Sequence, residues 1–234
     1  MTRPLLLSTR PADEAARCRA AANRVGFDLL SAPLLRIVPL PARIPDGNFD
    51  ALLFTSPRAP HPTVALAPEL RRLPVICVGP RTAEVARAAG FDVLLTGDSD
   101  GNAVLRQAAQ HGLRQLLQLC GQDRIQLAVP KGMSLSYEAV YAARAADGFD
   151  AGAMAALREG RIFAILLFSP RTARIFARIV DQQAIRRDRL RLIALSGNVE
   201  VAAGPGWQKV AIAEAPTLAK ALDAAVALCK AVAS

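Results

Sequence analysis

Short apolar runs alternate with helix-length segments along the whole 234-residue chain, and this pattern strongly limits the folds open to it. Most runs are apolar on both faces, which is typical of parallel strands covered by helices. The predicted strands are Leu5–Ser8, Ala51–Thr55, Val75–Val78, Val93–Thr96, Leu116–Leu119, Ile162–Phe168, Leu192–Leu195 and Val210–Ala213. Segments between them, such as 11–26 and 80–90, carry acidic residues early and end in glycine, as helices do. The alternation predicts a parallel α/β sheet.

The two halves of the chain repeat one another. A shift of 113 residues superposes the Ser-Pro-Arg of 56–58 on that of 169–171, and a shift of 117 superposes 75–79 on 192–196. A period of this length is too long for a solenoid repeat. The repeat predicts two similar parallel-sheet α/β lobes with a cleft between them.

Two segments are extended in character and predict crossings between the lobes. Residues 32–47 are rich in proline, and residues 134–144 follow Gly132. One strand and one helix precede the first crossing. We expect them to join the strands and helices that follow the second crossing, so that together they form one lobe. The expected division is a discontinuous lobe of 1–35 plus 144–234, a second lobe of 40–138, and connectors at 36–39 and 139–143.

The charge and composition narrow the class of ligand. The net charge of +9 is compatible with a solvated basic surface or with an acidic partner. A single Trp and two Tyr make nucleic acid the weaker choice, because single-strand binding usually uses aromatic platforms. No apolar run approaches membrane-spanning length, and the start is unlike a signal peptide, so we expect a cytoplasmic protein. The four scattered cysteines indicate buried free thiols rather than a metal site or disulfides.

A series of short motifs, in order and spacing, resembles the uroporphyrinogen-III synthase family over some 220 residues. No single motif is specific. The motifs are Thr9-Arg10-Pro11, Pro33, FTSPRA (54–59), VGPRTAEVARAAGF (78–91), CGQDR (120–124), VYAAR (140–144), LFSPRTA (167–173), and Leu195-Ser196 with AEAPTLAKAL (213–222).

The resemblance implies both a fold and a reaction. The family has two α/β lobes joined by a two-stranded connector, with a cleft between them and one lobe discontinuous. Its enzymes close hydroxymethylbilane to uroporphyrinogen III, inverting the last pyrrole ring and losing water. We therefore expect a polycarboxylate tetrapyrrole substrate, no cofactor, no metal, no nucleic acid, no membrane and a monomer.

The turns that follow the strands are the expected substrate-binding sites. A helix start presents free N–H groups and a positive dipole end, which suit a substrate with eight carboxylates. We expect Ser56-Pro57 and Ser169-Pro170 each to start a helix, although Ser-Pro also serves as a plain N-cap. Gly197 and Val199 depart from the family's Pro and Thr, which leaves the contacts of that turn open. The expected binding residues are Arg10, Ser56, Pro57, Gly79, Thr82, Ser169, Pro170, Ser196, Gly197 and Asn198.

Tyr141 is the expected catalytic residue. Departure of the substrate hydroxyl as water requires a proton donor, and a phenol positioned by the connector can serve. Tyr137 is the competitor, and packing on the crossing strand is the alternative role for Tyr141. A non-catalytic binding protein of the same fold and a two-lobed nucleotide-binding enzyme are the rival functions. The sequence contains neither GxGxxG nor GxxxxGK(S/T), the usual phosphate-binding glycine motifs, and this argues against the nucleotide-binding enzyme.

Overall fold

The computed structural model describes residues 3–98 and 100–233. Within these residues, no helix is both long enough and apolar enough to cross a membrane. The chain divides into two compact units. One unit is the chain up to Arg36 together with the chain from Arg144 onward, and the other is Ile37–Ala143.

The described residues form eleven strands and eight α-helices. The strands are β1 (Leu5–Ser8), β2 (Asp28–Ser31), β3 (Leu35–Pro39), β4 (Ala51–Phe54), β5 (Val75–Cys77), β6 (Val93–Thr96), β7 (Gln115–Gly121), β8 (Ser134–Ala145), β9 (Ile162–Leu167), β10 (Arg191–Ala194) and β11 (Lys209–Ile212). The helices are α1 (Ala15–Arg24), α2 (Pro60–Leu66), α3 (Pro80–Ala88), α4 (Gly101–Gln110), α5 (Ala151–Arg158), α6 (Pro170–Gln182), α7 (Gly197–Ala203) and α8 (Leu218–Ala233).

The discontinuous unit is built on a five-stranded sheet in the order β11-β10-β9-β1-β2, and its neighbouring strands are all parallel. Helices cover both faces. On one face Leu7 packs in a cluster with Phe176 of α6, and on the other Leu6 packs in a cluster with Leu222 of α8. All four side chains are buried. Burial on both faces explains why these strands are apolar at nearly every position.

The second unit is built on a six-stranded sheet in the order β3-β8-β7-β4-β5-β6. The strands from β8 to β6 are parallel to their neighbours. The chain passes between units in β3 and in β8, which are hydrogen-bonded neighbours. Leu40 N donates to Val140 O at 3.0 Å beside this pair. On the faces of the sheet, Phe54 packs edge-on against Phe91 at 5.2 Å, and Leu53 clusters with Leu105.

The predicted α/β class with parallel sheets is confirmed, and each of the eight predicted strands is present within two residues at either end. Strand β2 was not predicted. It carries only two apolar residues, Leu29 and Leu30, and lies at the sheet edge, where the exposed Asp28 is tolerated. The four cysteines are free thiols; Cys18, Cys77 and Cys120 are buried, as expected, whereas Cys229 is only partly buried.

Arg187 joins three segments of the discontinuous unit. Its guanidinium donates to both carboxylate oxygens of Asp181, at 2.8 and 2.6 Å, and to Pro205 O at 2.9 Å. It also lies 4.6 Å from the ring centroid of Trp207. A planar, forked cation makes all of these contacts at once, and a lysine ammonium cannot.

We expect Arg187→Ala to lower the free energy of unfolding by about 1–2 kcal/mol, since an ion pair at the surface contributes little and the cation–π contact adds to it. Arg186→Ala is the control, because Arg186 also pairs with a carboxylate, Asp188, but both side chains are more than half exposed. That change should cost under about 0.5 kcal/mol. Urea unfolding followed by the fluorescence of Trp207, the only tryptophan, measures both.

The difference between Arg187→Ala and the parent should also depend on pH. The hydrogen bond from Arg187 lowers the pKa of Asp181 below its ordinary value. The stabilisation is therefore present above the ordinary carboxyl pKa and is lost as the pH falls through the lowered one. Equal losses at pH 7 and at pH 2 would contradict this ion pair.

Candidate functional site

The carboxyl ends of β1, β9 and β10 meet at one edge of the five-stranded sheet, because these strands are adjacent and parallel. Arg10, Ser169 and Ser196 follow those ends, so the fold brings these predicted residues to one edge. The buried Thr9 hydroxyl donates to Leu166 O at 2.8 Å and ties the turn after β1 to strand β9. Ligands of open parallel sheets bind at this edge.

Ser169-Pro170 starts helix α6, as predicted. Ser169 is the N-cap and Pro170 occupies the first helical position. The Ser169 hydroxyl accepts from Thr172 N at 3.1 Å, and the Thr172 hydroxyl accepts from Ser169 N at 3.2 Å. The two residues form a capping box. Ser169 is half-buried, so it caps the helix and still has a surface that a ligand can reach.

Ser169→Ala should lower the free energy of unfolding by about 1 kcal/mol, because it removes one side of this capping box. Ser196→Ala is a matched control: Ser196 is the N-cap of α7, but its side chain makes no capping hydrogen bond. We expect a change of under about 0.3 kcal/mol there. Chemical denaturation of both variants is the measurement, and equal losses would contradict the assignment of the cap.

The turn after β10 differs from the turn after β9. Gly197 takes the first helical position, and the buried Val199 stands three residues after the N-cap, where α6 has Thr172. A valine cannot complete a capping box. Asn198 is exposed. The turn therefore offers the Ser196 hydroxyl, the Asn198 amide and backbone N–H groups.

Arg10 is held in place by its own neighbours. Its guanidinium pairs with Glu14 and lies 4.2 Å from the ring centroid of Phe168. Its Nε is buried with no hydrogen-bond partner among the described residues. A ligand carboxylate at this position would therefore share the guanidinium with Glu14.

In the second unit, the prediction that Ser56-Pro57 starts a helix is wrong. Helix α2 begins at Pro60, and Ser56 instead forms a turn: its carbonyl accepts from Ala59 N at 3.2 Å and its hydroxyl from Arg58 N at 3.3 Å. A helix capped by Ser56 would need Pro60 to donate a backbone hydrogen bond, and proline has no N–H. The turn still follows the carboxyl end of β4.

The turn after β5 is a helix start. Gly79 is the N-cap of α3, and Pro80 holds the first helical position. Thr82 N donates to Gly79 O at 3.0 Å. The Thr82 side chain is buried at 5% exposure, so its hydroxyl faces the protein more than solvent.

Tyr141 lies in β8 next to the carboxyl end of β7. It is 9% exposed and packs in the apolar cluster that contains Phe54 and Leu119. Its competitor Tyr137 is 55% exposed, and the Arg124 guanidinium lies 3.5 Å from its ring centroid. Tyr141 is thus the more buried of the two phenols, and packing fixes the orientation of its ring.

Gln118 is a candidate that the sequence reasoning missed. It is buried in the middle of β7, and its amide donates to the Thr55 hydroxyl at 3.3 Å. Its Oε1 has no hydrogen-bond partner among the described residues. The signal was a polar residue inside an otherwise apolar run, which is costly unless it is partnered or functional.

The thiols at the strand ends of this unit, Cys77 and Cys120, are buried. Burial raises the pKa of Cys77 to about 11 and also raises the pKa of Cys120. Both thiols therefore stay protonated near neutral pH. Within residues 3–98 and 100–233, no group of three or more His, Cys, Asp or Glu side chains is placed to hold a metal ion.

A family model and several solved structures are similar to this chain. Residues 16–223 match the family model of uroporphyrinogen-III synthase HemD. The crystal structure of uroporphyrinogen-III synthetase from Helicobacter pylori is similar in fold, with a TM-score of 0.64 at 16% identity, covering 97% of this chain and 100% of that one.

Two solved structures of uroporphyrinogen III synthase from Thermus thermophilus are less similar. Their TM-scores are 0.42 and 0.45, each at 16% identity, covering 96% and 98% of this chain and 99% of theirs. A search of the curated proteins finds no match. Because the family model spans most of its length, the chain belongs to the uroporphyrinogen-III synthase family.

Proposed function

We propose that this chain closes the linear tetrapyrrole hydroxymethylbilane to uroporphyrinogen III, with inversion of the last pyrrole ring and loss of water. The match to the family model over residues 16–223 carries the proposal. The fold adds support, since both sheets end in turns of the kind that bind anions.

The strand-end turns supply the groups that would hold the substrate carboxylates. Ser169 and Pro170 open a 13-residue helix, whose first N–H groups and positive dipole end attract anions. Gly79 and Thr82 belong to a second helix start, and Ser56 and Pro57 to a half-buried turn. The turn of Ser196, Gly197 and Asn198 and the guanidinium of Arg10 complete the proposed binding set.

Tyr141 is the proposed proton donor. Its hydroxyl donates a proton to the hydroxymethyl oxygen of the substrate. The C–O bond then breaks, water departs, and an azafulvene cation remains on the substrate. The last pyrrole ring then attacks this cation through its substituted carbon, which gives a spiro intermediate. The original bond from that carbon to the methylene of the neighbouring ring breaks, which leaves a second azafulvene cation on that ring. The free carbon of the last ring attacks this second cation and closes the macrocycle with the last ring inverted. The ring carbon that finally closes the macrocycle loses a proton, and this proton balances the one that Tyr141 donated.

The choice of isomer depends on how the substrate is held. Attack from the free end of the last ring gives the symmetric isomer I, and attack from the substituted carbon leads to isomer III. The bound conformation decides between them, which is catalysis by orientation. Many weak contacts at the strand-end turns suit this task better than one strong group.

The test is the isomer that forms. Freshly made hydroxymethylbilane is mixed with the purified chain, and the products are oxidised and separated as uroporphyrins I and III. We expect isomer III to predominate, with an initial rate proportional to the amount of protein. Isomer I at the rate of the protein-free reaction would overturn the proposal and favour a non-catalytic binding protein.

A further inference from the structure

The ring of Tyr141 lies against the backbone of Gly121, the last residue of β7. A Cβ atom built on Gly121 would lie 2.8 Å from both Cε2 and Cζ of the Tyr141 ring and 2.9 Å from its hydroxyl oxygen. Ordinary contacts between carbon atoms are about 3.5–4.0 Å. The hydroxyl end of the phenol therefore occupies the space that any other residue at position 121 would fill.

The backbone of Gly121 does not itself require glycine. Gly121 closes a strand, and it is not among the glycines of the chain with positive φ. An L-residue can adopt this backbone conformation without strain. What glycine provides at this position is room for the phenol.

A bulge in β8 brings Tyr141 to this position. Cys120 of β7 is paired with Ala139, but Gly121 is paired with Tyr141, so Val140 is an extra residue on β8. A one-residue shift of register moves each following side chain to the other face of the sheet. Bulges of this kind re-aim side chains and occur next to active sites.

We propose that Gly121, together with the bulge at Val140, is a positioning device for the phenol of Tyr141 in the ring-closing reaction. This inference rests on the proposed function. Gly121 touches no substrate in this proposal; it acts by letting the hydroxyl end of the ring settle at the carboxyl end of β7. Adding one methyl group there must push the phenol away by about 0.5–1 Å.

The variant Gly121→Ala is the experiment. We expect kcat for isomer III to fall about 10- to 100-fold, because a misplacement of about 1 Å can cost that much. KM should change by less than about threefold, since the carboxylate contacts lie elsewhere. Gly148→Ala is the matched control: Gly148 also lacks positive φ, and a methyl group added to it would meet nothing within 4 Å. It should retain the parent kcat.

Making the same change in the Tyr141→Phe variant distinguishes a positioning role of Gly121 from a general structural defect. In Tyr141→Phe, Gly121→Ala should lower kcat by no more than about twofold, because the hydroxyl that it displaces is already absent. The same loss in both backgrounds would overturn the proposal, as would an unchanged kcat in Gly121→Ala alone. If Gly121→Ala does not fold, adding Tyr141→Ala should restore folding, and failure to do so would also overturn it.

A spectroscopic readout is independent of activity. The chain has two tyrosines, so labelling with 3-fluorotyrosine gives two 19F signals, which Tyr137→Phe assigns. Gly121→Ala should shift the Tyr141 signal and leave that of Tyr137 unchanged. If the Tyr141 signal shifts but the parent protein forms no uroporphyrinogen III, the contact is supported and the proposed function is rejected. An unshifted Tyr141 signal would reject the contact itself.

Discussion

Tyr141→Phe should lower kcat for isomer III by about 10- to 100-fold and leave KM nearly unchanged. The phenol is the proposed donor of the proton that lets water leave, and general acids contribute about 10²- to 10⁴-fold. We expect an effect at or below the lower limit of this range, because the rest of catalysis depends on how the substrate is held. The ring of phenylalanine fills the same space over Gly121, so the packing around it is preserved.

Tyr137→Phe is the control for this prediction. Tyr137 lies four residues earlier on the same strand, is 55% exposed and is covered by Arg124. Its hydroxyl has no role in the proposed reaction, so kcat should stay within about twofold of the parent value. Initial rates of isomer III at saturating substrate decide between the two residues. An unchanged rate in Tyr141→Phe would refute its role as the acid.

The sequence predicted the sheets well, because their physical requirement is local. A strand covered by helices on both faces must be apolar at successive positions, and runs such as Leu192–Leu195 meet this requirement without reference to the rest of the chain. Strand β2 lacks that signal, since only Leu29 and Leu30 of its four residues are apolar. The sequence also indicated that residues 134–144 are extended, but it did not indicate that they pair in parallel with β7.

The candidate site was predictable where a single turn decides the geometry. Ser169 lies in an uninterrupted helical sequence and caps α6 as expected. Ser56 is followed by the same two residues, Pro and Arg. However, Pro60 removes the backbone donor that a helix capped by Ser56 would need. The contact of Gly121 with Tyr141 depends on a bulge that exists only once β8 has paired with β7. No local pattern specifies such a register.

Ser169→Asp should raise KM for hydroxymethylbilane by about 10- to 100-fold while the protein remains as stable as the parent. Aspartate is as good an N-cap as serine and interacts favourably with the helix dipole, so α6 keeps its start. The same carboxylate would repel a substrate carboxylate held at this turn. At a separation of about 4 Å and intermediate dielectric, like charges cost up to about 4 kcal/mol, and each 1.4 kcal/mol is a tenfold change in affinity.

Ser169→Asn isolates the charge from the shape. Asparagine has nearly the same size as aspartate and caps helices equally well, but it is neutral. We expect its KM to stay within about threefold of the parent value, and its unfolding curve to match that of Ser169→Asp. Because the repulsion is electrostatic, raising the salt concentration should bring the KM of Ser169→Asp towards that of Ser169→Asn. Equal KM values for the two variants at low salt would show that no substrate carboxylate binds at the start of α6.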